Sequence, residues 1–378
     1  MITVSKIASA GQALQYYSER DDYYREGGGA PAAFFGRGAE DCGLTGAMAS
    51  VWMARKFAET LATGDGTASR HTPGYDVTFS APKSVSVAAL VNGDDRVFAA
   101  HDAAVKAALA HIERHAIVTR QRDSEGGYIW RHGDGMTAAV FRHTTSREQD
   151  PQLHSHCVIA NATRDPSTGL MRAIDSRELY RAQREAAAIY TTELAAGVRA
   201  AGYNVEFKIN AEGHPTFELG DVPESVRAHF STRSSQVEAA LATQGHTRET
   251  ASSAAKQMAA LDTRVDKEVV DHIMLANRWR EEALDMGNNP YLLPAMAMVD
   301  PVAQRRAAEA AVTQAAEHLG ERDARFSARS LEHEAALFGQ GKADGEHIRE
   351  AIRKLTQRGA LEHRDVRVRA AGEHEQSV

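Results

Sequence analysis

The sequence reads as an α+β chain built on an antiparallel sheet, and three features point there. Tyr75-Asp76-Val77-Thr78-Phe79-Ser80 alternates strictly, with Tyr75, Val77 and Phe79 on one face and Asp76, Thr78 and Ser80 on the other. That is the pattern of a half-buried strand with one polar face. Two further strand-like runs, Thr137 to Thr144 and His154 to Ala162, are separated by a connection containing Ser146, Asp150 and Pro151. Neighbouring strands joined so closely are most simply antiparallel. Long helical runs, Asp95 to His115 and Arg177 to Ala201, supply the layer that would cover such a sheet.

The elements follow in order. Met1 to Val4 predicts a short strand, followed by a helix with Ser5 or Ser9 as N-cap and an end near Arg20. Residues 27–46 are rich in glycine and read as a loop region with little regular structure. Residues 46–62 look helical. Ala81-Pro82-Lys83 ends the alternating strand, and a helix starts near Ser84. Gly202 suits a C′ position after the long helix. Tyr203 to Phe217 predicts a hairpin around Asn210-Ala211-Glu212-Gly213, and residues 223–285 are mostly helical. Asn288-Asn289-Pro290, Pro294 and Pro301 mark a linker. Arg305 to Gly320, Ser327 to Phe338 and Gly345 to Arg358 then predict three helices. A strand pair around Leu361 to Val368 would complete a winged-helix-like unit.

Composition narrows the function classes. The 378 residues suffice for two domains, and the formal net charge of −7 does not advertise nucleic-acid binding. A local basic patch can bind phosphate whatever the total, so that class stays open. No apolar run approaches the roughly 18 residues of a membrane span. The N-terminal residues lack the basic-then-apolar order of a signal peptide, so a cytoplasmic protein is expected. Cys42 and Cys157 are the only cysteines, which argues against a disulfide framework or a cysteine-rich zinc site. There is no Gly-x4-Gly-Lys-[Ser/Thr] loop for nucleotide phosphates.

The strongest chemical signal is His143 followed by His154-Ser155-His156. Residues two apart on a strand share a face, so His154 and His156 project together. An antiparallel neighbour can bring His143 to the same point. Three neutral imidazoles make a divalent-metal site with open positions. The residues alone equally allow three unconnected histidines. Strand alternation turns Cys157 away, as an inert core thiol.

Tyr16-Tyr17 and Tyr23-Tyr24 form the second signal. Ile7, Ala10, Leu14 and Tyr17 fall at helical spacing and mark a buried stripe. Tyr16 lies about 100° away and can present its phenol to a cleft. A phenolate is a competent covalent nucleophile; packing of all four rings at the sheet rim is the alternative. Asp76, on the polar strand face, can fix the tautomer of a metal-bound histidine or help remove a tyrosine proton. A metal, a tyrosine and an acidic partner together suit phosphodiester chemistry.

Several longer motifs, in this order, resemble one family. They are Tyr16-Tyr17 with Asp22-Tyr23-Tyr24, then Gly36-Arg37-Gly38-Ala39-Glu40 through Gly43-Leu44. Asp76-Val77-Thr78-Phe79-Ser80-Ala81-Pro82-Lys83-Ser84-Val85-Ser86 follows, and then His143-Thr144-Thr145-Ser146-Arg147 through Asp150-Pro151-Gln152-Leu153-His154-Ser155-His156. Phe230-Ser231-Thr232-Arg233 and Ala259-Ala260-Leu261-Asp262-Thr263-Arg264 extend the match. The chain resembles the N-terminal part of a MobF-class conjugative relaxase of the TraI/TrwC type, within the HUH endonuclease superfamily, over nearly its whole length. It departs in having Phe34-Phe35 where a tryptophan is frequent and Cys42 where an aliphatic is common; both are expected to be packing positions.

The resemblance implies an antiparallel palm flanked by helices, with helical fingers closing over DNA. Its domains would be 1–287 (relaxase, fingers from about 225), 288–301 (linker), 302–370 (the winged-helix-like start of a helicase region) and 371–378 (tail). Family members continue into a helicase, so a fragment or a naturally short relaxase is expected. The implied activity is site-specific nicking of single-stranded transfer-origin DNA through a 5′-phosphotyrosyl intermediate that can be religated. Tyr16 would be the first nucleophile and Tyr23 the candidate for a second transesterification, with Tyr17 and Tyr24 secondary. His143, His154 and His156 would hold Mg²⁺ or Mn²⁺, with Zn²⁺ or Ni²⁺ also suited to three imidazoles. Asp76 would orient a metal-bound histidine or assist Tyr16, and Arg147 and Lys83 are DNA-contact candidates. Implied partners are conjugation accessory proteins and a type IV secretion coupling protein, for a monomer that enters the recipient cell attached to DNA. A rolling-circle replication initiator is disfavoured by tyrosines that precede the histidines. A single-stranded-DNA-binding module without catalysis is the other alternative.

Overall fold

The alternating segments form the sheet that their patterns predict. In a computed structural model, five antiparallel strands take the order β1-β3-β7-β6-β2. They are β1 (Ile2–Lys6), β2 (Ala33–Phe35), β3 (Gly74–Ser80), β6 (Ala138–Thr145) and β7 (Pro151–Ala160). The structure describes residues 2–7, 33–46, 57, 72–122, 126–209, 215–247, 250–262, 271–323 and 325–362. The central strand is β7, which pairs with β3 on one side and β6 on the other.

Each face of this sheet has its own cover. Tyr75, Val77 and Phe79 of β3 and Leu153, Cys157 and Ile159 of β7 enter the largest apolar cluster. That cluster includes Val105, Leu109 and Ile112 of α3 (Asp95–Ala116) and Tyr190, Leu194 and Val198 of α4 (Ser176–Ala200). Both helices carry an aspartate N-cap: Asp94 accepts from the Arg96 amide, and Asp175 from the Arg177 amide. They approach closely at Gly197, where an added Cβ would lie 2.6 Å from the Ala100 Cβ. The opposite face carries a smaller cluster with Phe34, Leu44, Phe57, Phe141 and Val158. Above that cluster, towards the β6–β7 turn, the same face becomes polar.

Some expectations need correction. Ser5 lies within β1, opposite Asp76, so it caps no helix; Ser9 lies outside the described residues. The glycine-rich region is more ordered than its composition suggests. It contributes β2, which pairs with β6, and a short helix, α1 (Arg37–Asp41). Gly36 allows the join, with φ +102° and a backbone so close to the Met136 carbonyl that a Cβ would clash. Phe34 and Cys42 are packing positions, as expected. The β6–β7 connection is shorter than the alternation suggests, because β7 begins at Pro151 and a turn over 146–150 joins it to β6. The hairpin β4 (Val118–Arg122) and β5 (Tyr128–His132) is not signalled by the residues, which do not alternate cleanly in polarity.

Apart from a two-residue strand pair over 163–164 and 171–172, which the residues do not predict, the remaining elements match the expected ones. β8 (Thr163–Arg164) pairs with β9 (Met171–Arg172), and β10 (Val205–Ile209) with β11 (Pro215–Leu219). α2 spans Lys83–Leu90. After the hairpins come α5 (Glu224–His229), α6 (Thr232–Thr243), α7 (Ser253–Asp262) and α8 (His272–Asp285). Residues 288–300 hold no helix or strand. α9 (Pro301–Gly320), α10 (Ala328–Phe338) and α11 (Gly345–Gln357) share a separate apolar cluster that reaches the body through Ile189 of α4. The strand pair expected around 361–368 lies almost wholly outside the described residues. Among the described residues, no helix is long and apolar enough to cross a membrane.

One buried histidine ties the sheet to its helices. His101 of α3 is fully buried, with its Nδ1 2.9 Å from the Tyr190 hydroxyl and its Nε2 2.8 Å from the Ser155 hydroxyl. Burial, followed by the charges of Arg142 and His154, lowers its pKa from 6.5 to about 3. Above pH 6.5 the ring is neutral in both folded and unfolded chains, so it adds no pH dependence. As pH falls through that value towards 3, the unfolded chain takes up the proton and the folded chain does not. Stability should therefore fall in this window, by at most about 1.4 kcal/mol per pH unit from this group. Urea unfolding at pH 7 and pH 5 should show a smaller acid loss for His101→Gln than for the parent; equal losses would remove this role.

Candidate metal centre

The register of the three central strands assembles the site. His143 of β6 pairs with His154 of β7, while His156 pairs with Phe141 on one side and Thr78 on the other. Directly paired residues in an antiparallel sheet point to the same face. The three imidazoles therefore converge, with centroids 5.0 Å (143–154), 4.8 Å (143–156) and 5.2 Å (154–156) apart. One ring nitrogen from each lies within 4.8 Å of the others. His143 is buried and the other two are partly exposed, so the cluster opens to one side.

Hydrogen bonds select the tautomers. His154 Nδ1 lies 2.9 Å from the Gln152 carbonyl, which can only accept, so Nδ1 carries the proton. His156 Nδ1 lies 2.7 Å from Asp76 Oδ2 and donates to that carboxylate. The Thr78 hydroxyl lies 3.3 Å from Asp76 Oδ1 and donates there, while its oxygen sits 3.0 Å from the same His156 nitrogen. In neutral His154 and His156 this leaves the Nε2 lone pairs for a cation. Carboxylate-backed imidazole is a common arrangement at metal sites. The donor set thus fits a divalent cation.

The turn beside the cluster is held from a distance. Asp150 accepts from the Thr232 amide at 2.9 Å and the Thr232 hydroxyl at 3.0 Å, at the start of α6. Trp279 of α8 donates its indole N–H to the Gln149 carbonyl at 2.9 Å. Gln149 has φ +61°, an unusual conformation outside glycine, which this contact helps to hold. Burial raises the Asp150 pKa, opposed by Lys83 and the bonds from Thr232 and Arg233.

The predicted site residues divide into three groups. His143, His154, His156 and Asp76 come together. Lys83 and Arg147 lie at the same end of the sheet, but differently. Lys83 is half-buried and donates to the Pro151 carbonyl at 2.9 Å, and burial lowers its pKa against the pull of Asp150 and Glu218. Arg147 sits in the β6–β7 turn and is partly exposed. Tyr16, Tyr17, Tyr23 and Tyr24 lie outside the described residues. Sequence reasoning passed over the supports Thr78, Asp150 and Trp279. Thr78 was on the correct strand face; nothing in the local pattern signals the other two, because their partners are far away in the chain.

Comparison with known proteins accords with this geometry. A family model described as TrwC relaxase matches residues 10–286. The multifunctional conjugation protein TraI of Escherichia coli (strain K12) is 34% identical over 301 residues, which cover 76% of this chain. A second TraI from Escherichia coli is 35% identical over 303 residues. Each match spans only 16% of the relative, so the chain corresponds to about a sixth of those proteins. Among solved structures, the conjugative relaxase TrwC with oriT DNA, metal-free, superposes with a TM-score of 0.66 at 33% identity. It covers 76% of this chain and all of that one. The metal-bound complex gives 0.67 at 32% and a copper-bound complex 0.68 at 34%, each covering 77% of this chain and all of the other. The clustered imidazoles, the antiparallel sheet and the extent of these matches establish that the chain belongs to the TrwC relaxase family, the MobF relaxases of the TraI/TrwC type.

Proposed function

We propose that this chain is a conjugative relaxase that nicks one strand of plasmid transfer-origin DNA by tyrosine transesterification. The observation that carries the reading is the three-imidazole face with Asp76 behind His156. Membership of a family whose solved members hold oriT DNA, two of those complexes with metal bound, supports that substrate class for the face.

His143, His154 and His156 are the proposed ligands, through Nε2 in the case of His154 and His156. A divalent cation bound there would draw charge from the non-bridging phosphate oxygens and polarise the phosphorus. The chain's own residues do the rest. The Tyr16 phenol gives up its proton as its oxygen attacks phosphorus, the P–O3′ bond breaks, and the 3′ oxygen takes up a proton and leaves as a hydroxyl, so no proton is gained or lost overall. The phosphate remains on Tyr16 as a 5′-phosphotyrosyl ester, and attack by a 3′ hydroxyl reverses the step. Tyr23 is proposed for a second transfer, with Tyr17 and Tyr24 in secondary places. Asp76 has both oxygens engaged, one by His156 and one by Thr78, which favours a positioning role over proton removal from Tyr16.

Arg147 is the better placed of the two DNA-contact candidates, since Lys83 is directed to a backbone carbonyl. We assign residues 1–287 to the nuclease, with fingers from about 225, and 288–301 to a linker. Residues 302–370 are assigned as the winged-helix-like start of a helicase region, and 371–378 as a tail. Mg²⁺ or Mn²⁺ is the proposed ion. The proposed setting is the cytoplasm of a donor cell, with accessory and coupling proteins as partners and passage to the recipient attached to DNA.

Tyr16→Phe should abolish both cleavage and the covalent adduct when the chain meets a panel of single-stranded transfer-origin oligonucleotides with Mg²⁺. Undiminished cleavage would overturn the assignment of Tyr16, and sequencing the protein-linked 5′ ends of the parent reaction would identify the nicked site. Asp76→Asn should weaken Mn²⁺ binding about 10–100-fold, as loss of a carboxylate behind a ligating histidine generally does. Calorimetric affinity equal to the parent's would dismiss the positioning role.

A further inference from the structure

The far side of α3 carries a second cluster, remote from the histidine face of the sheet. His111 and His115 lie four residues apart on one face of α3, with ring centroids 4.7 Å apart. Glu332 of α10 reaches between them. Its Oε2 lies 3.5 Å from His111 Nδ1 and 3.5 Å from His115 Nε2. His111 is fully buried and Glu332 nearly so. Both ring nitrogens are buried, and neither has a hydrogen-bond partner among the described residues.

These distances suit a cation better than they suit hydrogen bonds. An N–H···O bond is usually about 2.7–3.2 Å long, so two buried imidazole nitrogens stand outside that range from the same oxygen. A tetrahedral ion with ligands at about 2.1 Å sets them about 3.4 Å apart. One donor atom from each of the three residues already lies within 4.8 Å of the others. The surroundings resemble a prepared site. His111 turns its other nitrogen, Nε2, to Glu185 at 3.0 Å, so a carboxylate backs the ring from behind. Arg329 in turn holds Glu185 at 2.5 Å. Arg114 and Arg349 bind only the opposite oxygen of Glu332, at 3.1 and 3.4 Å, which leaves Oε2 to the histidines.

We propose that His111, His115 and Glu332 form a second metal site, for a tetrahedral transition cation of the Zn²⁺ class, which fastens α10 to α3. Water would supply the fourth ligand. The ion would join the helices after residue 300 to the helix that backs the sheet, and would act structurally. The neighbouring arginines repel a cation, so the site binds more weakly than the three-histidine face.

The test uses the full chain with His154→Ala and His156→Ala, which disable the first site, stripped of metal with a chelator. Titration with Co²⁺ should give the visible absorption of tetrahedral cobalt at one ion per chain, and Zn²⁺ should displace it. Adding His115→Gln or Glu332→Gln should remove that absorption while circular dichroism stays unchanged. A folded double variant that binds no Co²⁺, or a signal that persists after both further changes, would overturn the proposal and leave only an ion-pair network. Should the double variant not fold, Zn²⁺ stoichiometry decides. His115→Gln in the otherwise unaltered chain should bind one ion fewer than its parent, and equal counts would overturn the proposal.

Discussion

The two-faced character of the central strand β7 governs everything built on the sheet. Leu153, Ser155, Cys157 and Ile159 look towards the long helices, while His154, His156, Val158 and Ala160 look the other way. Because side chains alternate with period two, a slip of one residue would bury the imidazoles and expose the apolar row. Pairing on both sides of β7, with β3 and with β6, holds that register. The apolar row thus does more than stabilise: it dictates which face the histidines occupy.

Around this strand, polar groups are satisfied in relays that run from one layer to the next. Ser155 points into the core yet meets His101, which meets Tyr190. Arg142, on the same face of β6, forms an ion pair with Asp102 of α3 at 2.6 Å. A buried polar group left without a partner costs about 1–3 kcal/mol, so each link restrains the helices against the sheet. On the opposite face the relay Thr78–Asp76–His156 restrains a ring instead. The same local chemistry thereby fixes helices on one side and the ring of a candidate metal ligand on the other.

α3 is the part common to both regions of interest. One side carries His101 and the apolar residues under the sheet, and the other carries His111, Arg114 and His115 towards α10. Orientation of the C-terminal helices is thereby referred to the element that also backs the histidine face. The turn over 146–150 is similarly shared, between the strands it joins and the helices α6 and α8 that grip it through Asp150 and Gln149.

Much of this was legible in the residues because it is periodic and local. The alternation over Tyr75–Ser80, the His154/His156 pair, the separation of Cys157 from them and the spans of α3 and α4 all follow from rules acting within a few residues. The glycine-rich stretch hides its strand because β2 is fixed by pairing to β6, about a hundred residues away, rather than by its own propensity. Ser5 differs from its local signal for the same reason, since a serine that could cap a helix lies instead opposite Asp76 in a sheet. Trp279 on Gln149 and Glu332 between two histidines left no trace in spacing. Periodicity records which way a side chain faces along its own strand or helix. Which distant residue it meets there depends on long-range packing, and that exists only once the chain has closed on itself.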